Sequence, residues 1–391
     1  MLVNTLTANN KLYPTVSEAM NALKLADGST PETTNTVTMQ SYLDRMAVAS
    51  PRLSGHILTR KTALGAYSYS LTGEPVEKAI ETQERLAKVI NKILQESVNA
   101  SLFGCFCIEL TWELSESQKW APAIKKIYKP YELEKAPNGS LYLLSVEGSK
   151  IIKTDINSLQ NNQSFIWGTD STSWHGGSMR SIIFHEILRN DTLKEWANYN
   201  KKLKGIIQGK APEDEKADAA TALKTIAENN YSITSKDVEF VMNEMTSTKG
   251  VDSFKEFKNE LENDIAIAIL GQANTAQLPS GGGSRAALQI LNLIRADIHY
   301  SDMLAAKAVI NDQLLKYDYQ LNTEQNAEAS PFSFEFVYDE SGDVEANSRA
   351  IEAAVRIGVP LVASEVYAKL GMKLPKETDE LLTVKQANPF A

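Results

Sequence analysis

Residues 251–319 read VDSFKEFKNELENDIAIAIL, then GQANTAQLPSGGGS, then RAALQILNLIRADIHYSDMLAAKAVINDQLLKYDY. Phe254, Phe257, Leu261, Ile265 and Ile269 fall on one helical stripe, and Gly271 follows as a stop signal, so a helix is predicted over 251–270. Gln272 to Ser284 holds Pro279 and three consecutive glycines and reads as a loop. From Arg285 the apolar period resumes and runs to about Tyr319. At 1.5 Å per residue that helix would be roughly 50 Å long. A helix of that length, with the stripe on 251–270, is expected to pack against neighbouring subunits.

Outward from this stretch the chain alternates in character. The first 35 residues or so are polar and turn-rich, with Asp27 to Thr36 read as a loop or linker. Helical patterning runs from Val37 toward Pro51, and a short strand is expected at Ala66 to Leu71. Glu74 to Ala100 reads as a long amphipathic helix, with Ile80, Leu86, Ile90 and Leu94 opposite a charged face. Leu102 to Leu114 reads as a buried strand after a glycine break. Pro122 to Ile152 reads as strands joined by turns at 136–140 and 147–149, and 153–180 as loop-rich. A helix is expected from Ile187 to Leu203 and a strand from Gly205 to Lys210. An acid-led helix follows to Asn229, with short strands at 231–234 and 238–242. After Pro331 come a strand over 332–338, a turn and two helices ending near Leu382. No internal repeat is present.

The bulk composition excludes several classes. The 391 residues are 43% apolar and 23% charged, enough for a sizeable core. A net charge of -9, from 40 Lys and Arg against 49 Asp and Glu, argues against a protein that coats nucleic acid. Two cysteines do not make a disulfide scaffold, and no targeting or membrane-spanning run is evident. Gly281-Gly-Gly-Ser-Arg285 is not a phosphate loop, since the second glycine followed by Lys and Ser or Thr is missing. His185-Glu186 is not a zincin site, because the second histidine would fall at 189, which is Arg. Cys105 and Cys107 share one side of a strand, with Phe106 opposite, and read as core. No catalytic residue, metal ligand or cofactor is assigned.

In order, residues 181–325 resemble a known family. The most specific segments are Leu270-Gly-Gln-Ala-Asn-Thr-Ala-Gln277, Gly282-Gly-Ser-Arg-Ala-Ala287 and Arg295-Ala-Asp297. Leu102 to Trp112, with Gly104 and Glu109, and Ile357-Gly-Val-Pro360, Ser364-Glu365 and Leu370-Gly-Met372 resemble the family's flanking regions. The chain is thereby similar, over about 37–382, to the Mu-type portal proteins of tailed phages. The resemblance implies an α+β portal fold with an α/β wing, a two-helix stem, a small α/β clip and a long helix behind the channel wall. It implies an N-terminal arm or linker over 1–36 and the N-terminal part of the wing over 37–186. The first stem helix would be 187–204, the clip 205–249, the second stem helix 250–271 and a tunnel loop 272–284. Residues 285–391 would be the long helix and the C-terminal wing or crown part, the crown small or missing.

It further implies a non-enzymatic ring, typically a dodecamer, at one capsid vertex of the virion, assembled in the host cytoplasm. Double-stranded DNA would pass non-specifically, touched by Gln272, Asn274, Thr275, Gln277, Ser280, Gly281, Gly282, Gly283, Ser284 and Arg285. Lys210, Glu213, Asp214, Glu215 and Asp218 would meet the terminase large subunit and later a head–tail adaptor. The major capsid protein would be a further partner, and no membrane is involved. An acidic channel fits sliding: 205–249 holds eight acids against five bases and 250–271 five against two. Arg285 and Arg295 stand near the loop as candidate phosphate contacts. Two alternatives stay open: another phage structural oligomer, such as an adaptor or tail subunit, and a hydrolase or nuclease with an unrecognised acidic site.

Overall fold

The structure is a computed structural model that describes residues 12–28, 30, 33–115, 117–136, 139–147, 150–159, 162–170, 175–202, 206–210, 212–229, 239–243, 249–273, 285–323, 326–337, 344–372 and 374–375. Contacts divide the chain into two units, Met1–Ala66 with Leu71–Phe334, and Tyr67–Ser70 with Glu335–Ala391.

The first unit begins with three helices, α1 (Val16–Ala26), α2 (Val37–Ala49) and α3 (Pro51–Gly65). Two of them lie where no helix is expected. At α1, Thr15 and Glu18 form a capping box: the Thr15 Oγ1 accepts from the Glu18 N–H at 3.2 Å, and the Thr15 N–H donates to Glu18 Oε2 at 2.7 Å. Its inward face is Ala19, Ala22 and Ala26, a small-residue stripe that hydropathy patterning passes over. At α3, Ser50 caps the Leu53 N–H at 3.3 Å and Pro51 takes the first turn. His56 and Arg60 occupy its buried face, which masks its period.

A short strand, β1 (Tyr69–Thr72), leads to α4 (Val76–Phe103), the predicted amphipathic helix and the centre of the core. Leu86, Ile90, Ile93, Leu94, Val98 and Leu102 are fully buried along it. Gly104, at φ +92°, ends it and turns the chain straight into β2 (Cys105–Leu114). Strand β2 lies between β3 (Trp120–Ile127) and, further along the chain, β7 (Phe165–Thr169), both antiparallel to it. Between these come β4 (Leu133–Lys135), β5 (Leu141–Glu147) and β6 (Lys150–Asp155), an antiparallel sheet in that order. Cys105 and Cys107 join Leu133, Leu141, Ile156 and Phe165 in one cluster, so the cysteines are core as expected. Burial pushes the Cys105 thiol up to about 12. Strand β7 falls in the stretch read as loop-rich; five residues are too few to show a period. Gly168 stands opposite Phe106, and a Cβ there would come within 2.7 Å of the Phe106 ring.

Helices α5 (Gly177–Ser181) and α6 (Ile183–Lys202) lead to β8 (Ile206–Lys210), which pairs antiparallel with β9 (Glu239–Asn243) across the intervening α7 (Lys216–Asn229). Then come α8 (Lys249–Leu270) and α9 (Arg285–Val309), which passes through a π-helical turn at Ile310–Leu315 into α10 (Lys316–Asn322). The long helix is therefore present, with one altered turn. The chain's own core covers part of these stripes. Leu261, Ile265, Ile269, Met303, Ala306, Ile310 and Leu314 are buried within the chain itself, while Phe257, Ile267, Ile294, Tyr300 and Leu304 stay exposed.

Strand β10 (Ser333–Phe336) pairs with β1. In the second unit Tyr67 meets Phe336 edge to face at 6.2 Å, and α11 (Val344–Arg356) turns at Gly358 into α12 (Ala363–Lys369). The residues toward Leu382 lie outside those described.

Two glycines in helices predict opposite outcomes. Gly55 is in the exposed interior of α3 with nothing within 4 Å of an added Cβ. Gly55→Ala should raise stability by about 0.5–1 kcal/mol. Gly177 has φ +52°, and an added Cβ would collide with the backbone carbonyls of Ser101 and Leu102. Gly177→Ala should cost roughly 2–4 kcal/mol. Urea denaturation of the two variants beside the parent checks both signs.

Candidate functional site

Helices α6 and α8 pack antiparallel. His185 Nε2 is 3.3 Å from Asp264 Oδ2, Arg189 Nη1 is 3.8 Å from Glu262 Oε1, and the Tyr199 and Phe254 rings are 5.6 Å apart. Residue numbers rise along one helix as they fall along the other. The chain thus leaves along α6, forms β8, α7 and β9, and returns along α8.

The root of this pair is held by charge. Glu186, 0% exposed, accepts from Arg189 Nε at 2.8 Å and Nη2 at 2.7 Å, and from the Tyr13 hydroxyl at 2.9 Å. The arginine that rules out a zincin site is therefore the partner of the glutamate beside His185. Arg189 also donates to Ser50 Oγ at 3.0 Å. Glu262 accepts from Arg52 at 2.6 Å and Lys258 at 3.2 Å. Burial alone would raise the Glu262 carboxyl, but Arg52 and Lys258 outweigh it and hold the group below its ordinary value. Burial, then Glu186, pushes the Tyr13 hydroxyl up to about 12.

A second set of bonds fixes the last turn of α8. Arg60 Nε and Nη2 grip Asp302 at 2.8 and 2.9 Å, and Arg60 Nη1 donates to the Ile269 carbonyl at 2.9 Å. Ser101 Oγ donates to the same aspartate at 2.8 Å. One guanidinium thus joins α3, α9 and the last turn of α8, where backbone carbonyls lack helical partners. Gly271 follows at φ +75°, and any Cβ there would collide with Ile298 of α9.

The residues expected to touch DNA divide as follows. Gln272 is 4% exposed and sits in the packed root of the segment, not on a surface. Its amide looked like surface in the sequence because nothing local marks it as buried. Asn274, Thr275, Gln277, Ser280, Gly281, Gly282, Gly283 and Ser284 lie outside the described residues. Arg285 begins α9. Arg295, the other candidate, is half-buried one residue beyond Ile294. Of the residues expected to dock partners, Lys210 ends β8, Glu213, Asp214 and Glu215 form a 3-10 turn, and Asp218 is in the first turn of α7. Lys210, Glu213, Asp214 and Asp218 are exposed, Glu215 half-buried, and Glu213 pairs with Lys216. Sequence reasoning missed Tyr13, Arg60, Arg189 and Asp302, whose partners are distant in the chain or looked like ordinary surface charges.

Both networks are testable. Arg60→Met strands Asp302 and should cost about 3–5 kcal/mol, whereas Arg60→Met with Asp302→Leu should recover part of that, as chemical denaturation of the single and double variants would show. Because the folded-state value of Glu262 is depressed, its contribution is complete above the ordinary value of 4.5 and is lost as pH falls through the folded value. The stability gap between parent and Glu262→Gln should therefore be widest near neutral pH and close in acid, read from denaturation curves across that range.

Residues 40–372 match the family described as the portal protein of Mu bacteriophage. Over 223 residues, covering 55% of this chain and 42% of the relative, the chain is 26% identical to the Mu-like prophage FluMu protein gp29 of Haemophilus influenzae. The alignment thus spans less than half of that relative. Among solved structures, a chain of the neck of an empty GTA particle, computed with C6 symmetry, is similar at TM-score 0.53 and 11% identity, over 92% of this chain and 100% of that one. An HK97 family phage portal protein from Corynebacterium diphtheriae gives TM-score 0.43 and 12% identity, over 81% and 97%. The GTA likeness is one of fold alone. The family match runs from α2 through α12 and takes in both networks except Tyr13, and the chain belongs to the portal protein family of Mu-type phages.

Proposed function

We propose that the chain is a portal subunit, the head–tail connector through which DNA is packaged and ejected. The observation that carries this reading is the antiparallel pair α6–α8, with a small α/β excursion at one end and the last turn of α8 pinned by Arg60 at the other, inside the family match. In this reading α6 and α8 are the stem, the excursion is the clip and 272–284 is the tunnel loop. Twelve copies form a ring at one capsid vertex, held by the major capsid protein. The apolar residues left exposed on α8 and α9, among them Phe257, Ile267 and Leu304, suit contacts between copies. DNA slides through because the clip, 205–249, and the second stem helix, 250–271, carry more acids than bases. The subunit performs no chemistry; it positions the terminase large subunit and then an adaptor.

Native mass and negative-stain imaging of the purified chain should show a ring with a central channel. A monomer across several salt concentrations defeats the reading, and a closed oligomer without a channel favours an adaptor or tail subunit. With rings in hand, reversing Glu213, Asp214 and Glu215 to lysine should weaken terminase binding at least severalfold and leave the particle mass unchanged. Removing Gly281 to Gly283 should spare the ring and impair DNA packaging or retention.

A further inference from the structure

The helical segment 310–322 carries amide side chains that bond to strands in one recurring way. Gln313 Oε1 accepts from the Trp167 N–H at 2.9 Å while Gln313 Nε2 donates to the Trp167 carbonyl at 2.8 Å. Asn322 does the same to Trp120, with the N–H at 2.7 Å and the carbonyl at 3.0 Å. Asn311 does it to Phe334, at 2.7 and 3.5 Å. Each amide offers a strand the donor and acceptor that a neighbouring strand would offer.

Trp167 is in β7 and Trp120 in β3, and these are the two edges of one sheet, in the order β3-β2-β7. The same helical segment therefore occupies both edges. The rest of the β3 edge is closed by other means. Trp120 turns its N–H away from β2, toward Asn322, so Pro122, two residues on, faces the same side with no N–H to give. The register then slips at Glu109/Leu110, leaving Lys125 as an extra, exposed residue.

We propose that residues 310–322 act as a surrogate edge strand that closes this sheet to a strand from a second copy of the chain. The inference does not depend on the portal reading. An open edge is a template for pairing with any second copy, so a blocked edge keeps copies from adding to this sheet.

The test uses the full chain. Asn322→Ala exposes the Trp120 N–H; it also takes one donor from Asp318, which Arg85 still pairs at 2.6 Å. Growth of light scattering and thioflavin T signal beyond the parent particle should be about tenfold faster. Adding Trp120→Pro removes that N–H at the first residue of the strand and should return growth to the parent rate. Scattering that stays at the parent level in Asn322→Ala overturns the proposal. Equal growth with and without the proline overturns it too, because general unfolding would not distinguish the two variants.

Discussion

The bidentate pair between Arg60 and Asp302 sets the frame for the rest of the structure. Both groups are nearly buried, so each is tolerable only because the other is present and its remaining polar atoms are occupied. The spare guanidinium nitrogen goes to the last turn of α8, and the spare carboxylate capacity goes to Ser101. The helix that returns from the excursion therefore stops at a fixed height against α3, α4 and α9. Everything after Gly271 starts from that fixed point.

The second network plays the matching part for the helix pair as a whole. Glu186, Arg189, Glu262 and Arg52 bring α3, α6 and α8 together, and Tyr13 draws in the chain ahead of α1. Such bonds add little net stability compared with an apolar core of equal volume. What they supply is direction, since each bond sets a named atom of α6 or α8 against its partner.

Much of this architecture was legible in the sequence where the elements are long. Helices α4 and α8 and strand β2 announce themselves by sustained period and by a glycine stop, and the order of segments from 181 onward carried the family. The failures have physical causes. Helix α1 buries alanines, which hardly register as apolar. Helix α3 buries His56 and Arg60, which read as surface. The Arg60–Asp302 pair spans 242 positions, and no local pattern reports a bond at that separation. Gln272, expected to touch DNA, is buried, and no neighbouring residue in the sequence reports that. Length alone suggested that neighbours cover the long helices, whereas the core of the same chain covers much of them.

The antiparallel course of α6 and α8 has an evolutionary side. A segment that departs and rejoins at adjacent points of one helical hairpin is a cassette: its length and sequence can drift without moving the ends it is hung from. Closing a longer loop adds only about 0.6 kcal/mol per doubling. The body can thus stay constant while residues between Ile206 and Asn243 are rewritten.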